Sequence, residues 1–215
     1  HAQAEACLEA AHAAGITLYD TSPWYGLGLS EMRFGLALHR KPRDSFVLQT
    51  KLGRDLLPRA HRTARDAGFA GGLRFSYRHE YTAEAFARQL EASLQRHGLG
   101  RVDSVVIHDL EPGAAGGGFA DGFADPARAL ARAREHARVC RDGGFALLGA
   151  RRAAGEIGAI GAGVNVPEQG EDAAAKWAWD REYVAELLSW RADADGRGLD
   201  FLLLANTYSL LEHGG

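Results

Sequence analysis

Four side chains with complementary chemistry recur where apolar runs of this chain end. They are Asp20 in "GITLYDTS", Tyr25 in the turn "SPWYGLG", Lys51 in "VLQTKLG" and His108 in "VDSVVIHDLE". Singly, each has a plain structural reading. Asp20 can start a turn, Tyr25 can be a lid, Lys51 can sit at a solvated strand end, and His108 can be a satisfied core imidazole. Brought together they are a proton-transfer device. A buried lysine needs a carboxylate partner, which Asp20 supplies. A lysine cation beside a phenol favours the phenolate, making Tyr25 a proton donor and acceptor that an imidazole can orient. Such a set suits reduction of a carbonyl, or oxidation of an alcohol in reverse.

Whether the four meet depends on the elements that carry them. Residues 2 to 14 read as an Ala-rich helix closed by Gly15, and residues 15 to 22 as a buried strand. Ser30 is placed to cap a helix running to about Arg40. Residues 45 to 53 form the next strand, and a long irregular stretch runs from Arg54 to Tyr81. Thr82 caps a helix with Phe86, Leu90 and Leu94 on one face, ended by Gly98. A strand over 102 to 111 follows. Asp125 and Pro126 then open a helix that breaks near Gly143 and Gly144 and stops at Gly155. Residues 157 to 165 form a fourth strand, 171 to 191 a Trp-rich helix, and 199 to 211 begin as a fifth strand.

Apolar strands alternating with helices specify a parallel sheet covered by helices. An open doubly wound sheet and a (β/α)8 TIM barrel both satisfy that pattern. The polar residues favour the barrel: Asp20, Lys51, His108 and Asn165 fall at or near the C-terminal ends of their strands, where a barrel keeps its active site. No Gly-x-Gly-x-x-Gly follows an early strand, which argues against a Rossmann domain. With five strands visible and a helix first, the expectation is a single barrel domain over 1–215, an incomplete fragment covering about strands 2 to 6.

Composition narrows the function classes. The chain has 215 residues, 46% hydrophobic and 25% charged, with a formal net charge of −3. No basic stripe points to nucleic acid, and no apolar run approaches the roughly 18 residues of a membrane span. Cys7 and Cys140 are far apart and form neither a disulfide framework nor a metal knuckle, so a reducing, cytoplasmic setting and a small-molecule substrate are expected. A metal-dependent hydrolase built on Asp20, His108 and Asp109 is the competing enzyme reading. Neighbouring His108 and Asp109 should point to opposite faces of a strand, which makes them poor co-ligands.

The same motifs carry a family resemblance. "GITLYDTSPWYGLGLSE", "VLQTKLG", "VDSVVIHDLE", "IGAIGAGVN" and "NTYSLL" occur in the order seen in the aldo-keto reductase superfamily. The resemblance implies a (β/α)8 barrel that uses NAD or NADP without a Rossmann domain. It puts Asp20, Tyr25, Lys51 and His108 in a catalytic tetrad and Asn165 against the nicotinamide carboxamide. Many members carry a glutamine where this chain has Ala205, so Asn206 becomes the adjacent candidate for a cofactor contact. "GGLRFSYRHEYT", "IHDLE" and "GAGVN" are similar to the L-fucose (D-threo-aldose) 1-dehydrogenase and pyridoxal 4-dehydrogenase branch. That branch implies oxidation of a sugar or pyridoxal hemiacetal to a lactone. A general aldehyde reductase and a cofactor-binding regulatory barrel are the alternatives within the superfamily.

Overall fold

The computed structural model describes residues 2–58, 69, 71–110, 126–165 and 173–205. Five strands, β1 (Leu18–Asp20), β2 (Val47–Leu52), β5 (Ser104–Ile107), β6 (Ala159–Asn165) and β7 (Phe201–Ala205), form one sheet in the order β1-β2-β5-β6-β7. Every pairing in it is parallel. Spatial order follows chain order without a reversal, whereas a doubly wound sheet reverses at its switch point. The sheet is part of the wall of a (β/α)8 barrel, as the strand-end chemistry led us to expect.

Helices α1 (Ala2–Ala13), α2 (Leu29–Leu38), α3 (Ala83–His97), α4 (Pro126–Val139), α5 (Ala146–Ala153) and α6 (Ala173–Ser189) alternate with these strands. One sheet face carries Tyr19, Leu48, Val105, Ile160 and Val164, which join Leu38, Phe86, Leu90, Leu148 and Trp190 in the core. Alternation along each strand puts Asp20, Gln49, Lys51, Ser104, Gly163 and Asn165 on the opposite face. One face therefore makes the core and the other is left for chemistry.

Two tight junctions fix the helices that flank the site. Glu31 of α2 is fully buried and accepts from Thr50 Oγ1 at 2.7 Å and Arg96 Nε at 2.5 Å, tying α2, β2 and α3 together. Helix α2 passes α3 so closely that a Cβ on Gly35 would lie 2.1 Å from the His97 carbonyl oxygen. Thr82 caps α3 as its position foretold, accepting from the Ala85 amide at 3.2 Å, and Gly98 closes it in a left-handed conformation.

Three local expectations are corrected. The stretch from Arg54 to Tyr81 contains an antiparallel pair, β3 (Arg54–Pro58) and β4 (Phe75–His79), in which Asp55 faces Arg78 and Leu56 faces Tyr77. Its charged residues hide the pattern, because Arg78 and Arg88 both donate to the buried Asp55. Gly143 and Gly144 do not break the helix. A π-helical segment, Cys140–Phe145, joins α4 to α5 and lets the Gly144 amide donate to the Tyr81 carbonyl at 3.2 Å. Finally, Gly28 rather than Ser30 precedes α2, at φ 97°, and the Ser30 hydroxyl instead pairs with Thr21 Oγ1 at 2.7 Å.

Candidate functional site

Asp20 is the last residue of β1, and Lys51 lies one residue before the end of β2. The register sets Asp20 beside Gln49 and Gln49 beside Ser104. Their side chains form a ladder across three strands: Ser104 Oγ donates to Gln49 Oε1 at 2.9 Å, and Gln49 Nε2 donates to Asp20 Oδ1 at 2.7 Å. The other Asp20 oxygen is thereby aimed at Lys51 Nζ, 2.5 Å away. The lysine side chain is 2% exposed and the aspartate 34%, so the cation is buried and its partner faces the opening. A second bond, to the Thr21 carbonyl at 3.1 Å, completes its anchoring.

Tyr25 follows on the turn after β1. Lys51 Nζ lies 4.9 Å from the centroid of its ring, an electrostatically attractive distance. His108, one residue beyond β5, meets the same ring edge-on with centroids 6.0 Å apart. The four residues singled out in the sequence are thus brought together at the C-terminal rim of the sheet.

The environment of His108 was not foreseen. Its Nδ1 receives Arg54 Nη1 at 3.0 Å and lies 3.2 Å from Ser22 Oγ, which itself accepts from the Trp24 amide. Arginine has donors only, so Nδ1 is the acceptor and the ring proton sits on Nε2. Burial, reinforced by the nearby Arg54 and Lys51 cations, pushes the imidazole down to about 3, well below its ordinary value. His108 is therefore neutral near pH 7 and carries its proton on Nε2, which lies 3.5 Å from an Asp109 oxygen.

Arg54 is itself buried against an aromatic pair, its guanidinium carbon 4.7 Å from the Trp24 ring centroid and 6.0 Å from that of Tyr77. It pairs with the buried Asp109, whose other oxygen accepts from Asn165 Nδ2 at 2.9 Å. Burial opposes charge on Asp109, but the Arg54 cation and the hydrogen bond from Asn165 outweigh it and hold the carboxyl below the usual range. The expectation that His108 and Asp109 diverge is overturned. Strand β5 ends at Ile107 and Asp109 has φ 50°, so both side chains turn to Arg54. Tyr81 pins this turn from below, its hydroxyl 2.9 Å from the carbonyl oxygens of both His108 and Asp109. Gly53, at φ 134°, makes room: a Cβ there would stand 2.7 Å from the Tyr81 ring and 2.8 Å from the His108 oxygen. Among the described residues no group of three His, Cys, Asp or Glu side chains is arranged to hold a metal ion.

The aromatic side chains of the 54 to 81 stretch take different places. Phe69 and Tyr77 pack edge-on against Trp24, at 5.3 and 4.5 Å. Tyr81 is buried beneath the site, and Phe75 lines a separate surface cavity with Met32 and Leu56.

Asn165 ends β6 at the same rim, and Asn206 lies outside the described residues. Of the two glycines on the Asn165 face, Gly161 has its space filled by the Phe201 ring. Gly163 does not. A Cβ there would meet only ordinary contacts, 3.6 Å from Ile107 O and 3.9 Å from His108 Cδ2. The Asn165 amide thus stands at the rim beside a backbone without a side chain and close to the His108 ring.

Comparison with known proteins gives this arrangement its context. The family model described as "Aldo/keto reductase family" matches residues 1–212. D-threo-aldose 1-dehydrogenase of a Pseudomonas species is 44% identical over 115 residues, covering 51% of this chain and 34% of that protein. Pyridoxal 4-dehydrogenase of Microbacterium luteolum is 32% identical over 224 residues, covering 98% of this chain and 54% of that protein. The chain thus spans between about a third and about half of the length of these relatives. Among solved structures, a glycerol dehydrogenase of Gluconobacter oxydans aligns with a TM-score of 0.48 and 22% identity, over 81% of this chain and 40% of that one.

Proposed function

This chain belongs to the aldo/keto reductase family, and from that premise we propose that it carries the catalytic rim of an NAD- or NADP-dependent oxidoreductase. Its substrate is a hydroxyl or hemiacetal carbon, on an aldose such as L-fucose or on pyridoxal. The observation that carries the reading is the buried Lys51, held by Asp20 and facing the Tyr25 ring with His108 at the ring's edge.

Each side chain has a role its surroundings support. Tyr25 takes the proton from the substrate hydroxyl in oxidation and returns it in reduction. The Lys51 ammonium favours negative charge on the phenol oxygen, and Asp20 keeps that ammonium in place. His108, neutral and protonated on Nε2, donates a hydrogen bond to the reacting oxygen and orients it. Asn165, with the side-chain-free backbone at Gly163, would hold the nicotinamide, which supplies the hydride acceptor or donor when bound. Metal chemistry has no part in this reading, since the proton and the charge are both handled by these side chains.

The two dehydrogenases named above favour a hemiacetal substrate over a simple aldehyde. The test is a panel of L-fucose, related aldoses, pyridoxal and short aldehydes, each followed by nicotinamide absorbance with NAD and with NADP. Turnover of a sugar or of pyridoxal by the full-length protein is expected. Turnover confined to simple aldehydes would reject the hemiacetal substrate and leave a general aldehyde reductase.

A further inference from the structure

Asp109 and Arg54 form a buried ion pair that takes no proton and reaches no solvent, with side chains 6% and 1% exposed. Burying two charges is costly, and an apolar pair of similar volume is often no less stable. What sets this pair apart is what each partner does with its remaining hydrogen-bonding capacity. Arg54 spends one N–H on His108 Nδ1 at 3.0 Å, and Asp109 spends one oxygen on Asn165 Nδ2 at 2.9 Å. His108 and Asn165 are the two side chains assigned above to the substrate oxygen and to the nicotinamide.

We propose that Arg54 and Asp109 are positioning residues that act as a single clamp, fixing the His108 tautomer at one end and the Asn165 amide at the other. The proposal rests on the oxidoreductase reading for what the two ends touch, but not for the clamp itself. With Nδ1 occupied by a donor-only cation, the ring proton is confined to Nε2, which lies 3.5 Å from an Asp109 oxygen. With Asp109 accepting from the Asn165 NH2 group at 2.9 Å, the amide is held in one orientation. The left-handed backbone at Asp109 makes both contacts possible, and the Tyr81 hydroxyl holds that backbone in place. The charged and titratable groups around His108 are Arg54, Asp109, Lys51 and His79, and the cations among them disfavour a second proton on the ring. Asp109 also approaches His108 directly, one oxygen lying 3.5 Å from Nε2, so a single carboxylate reaches both ends of the clamp.

The chain itself allows a direct test. In protein labelled with 15N-histidine, with His108 assigned by subtraction of a His108→Gln spectrum, Nδ1 should read as unprotonated and Nε2 as protonated near neutral pH. Protonation of Nδ1 would overturn the clamp whether or not the protein turns over. Single substitutions strand a buried charge, so the functional variant is the neutral pair Arg54→Met with Asp109→Asn, asparagine being at ease at positive φ. Loss of charged hydrogen bonds at both ends should lower kcat/KM by about 10- to 100-fold and weaken cofactor binding. The His108 nitrogens should move toward a mixture of tautomers, a change that loosened packing alone would not produce. A folded double variant with wild-type tautomer, kcat/KM and cofactor affinity would overturn the proposal. No nicotinamide-dependent turnover by the unaltered protein would reject the oxidoreductase reading, and the 15N measurement would still decide the clamp.

Discussion

Acid should unfold this protein early, because it buries imidazoles that cannot accept protons in place. His79 and His136 lie in one ring stack with Tyr81, the two imidazole centroids 6.2 Å apart and that of His136 5.0 Å from the tyrosine. Tyr81 in turn supports the turn carrying His108. Burial first, and then neighbouring cations, lowers His79 and His136 to about 4 and His108 to about 3. An unfolded histidine titrates near 6.5. Above that value both states are neutral and these groups do not favour either. As pH falls below it, the unfolded chain binds protons that the folded chain refuses, so stability declines down to the folded values. At about pH 5 the loss is roughly 2 kcal/mol per histidine, or about 6 kcal/mol for three independent groups. That approaches the whole stability of an ordinary domain. Carboxylates held low in the fold, such as Asp109 and Asp200, lose their contribution only below about 4, so the window between about 5 and 6.5 belongs to the imidazoles. Urea unfolding midpoints across that window, with an unchanged m value, measure the slope. His136→Gln should flatten it by about one proton. A stability at about pH 5 within roughly 1 kcal/mol of that at about pH 7.5 would refute the reasoning.

Tyr25→Phe should lower kcat by about 10²–10⁴-fold while leaving cofactor affinity near wild type, because only the proton-transferring hydroxyl is lost; steady-state kinetics and fluorescence titration check the split. Lys51→Met should cost a similar factor, and the double variant should be scarcely slower than either, since the two act as one unit. Gly35→Ala should destabilise by about 1–3 kcal/mol in thermal or urea unfolding, because its methyl would collide with the His97 backbone rather than with a side chain that can move.

The sheet and the four-residue rim were legible because both rest on short-range rules. Apolar strands end in polar residues, and parallel strands bring their ends together, so Asp20, Lys51, His108 and Asn165 could be placed on one rim from spacing alone. The residues that support them could not. Gln49 and Ser104 look like ordinary strand residues until the register sets them side by side, although the alternation in "VLQTKL" does put Gln49 and Lys51 on one face. Arg54 reads as a surface charge after a glycine, and only the β3–β4 ribbon with Trp24 and Tyr77 buries it. Asp109 was misplaced for a local reason. Alternation assumes an extended backbone, and the chain leaves the extended region at that residue.

The π-helical segment at Cys140–Phe145 carries a consequence for how this chain tolerates changes in length. A π turn accommodates one residue more than an α turn over the same rise, so it behaves as an insertion already absorbed. Removing one residue between 140 and 145 would close the wide turn into a continuous α-helix and leave the helix faces beyond it nearly in register. Leu148 would keep its place in the core and Arg152 its place between Asp195 and Asp200, which fasten α5 beside β6. The bond from the Gly144 amide to the Tyr81 carbonyl, beneath the turn of His108 and Asp109, would go with the wide turn. Length in this part of the outer wall is thus tied to the chemistry of the rim, even though the segment lies on the far side of the sheet from the reacting groups.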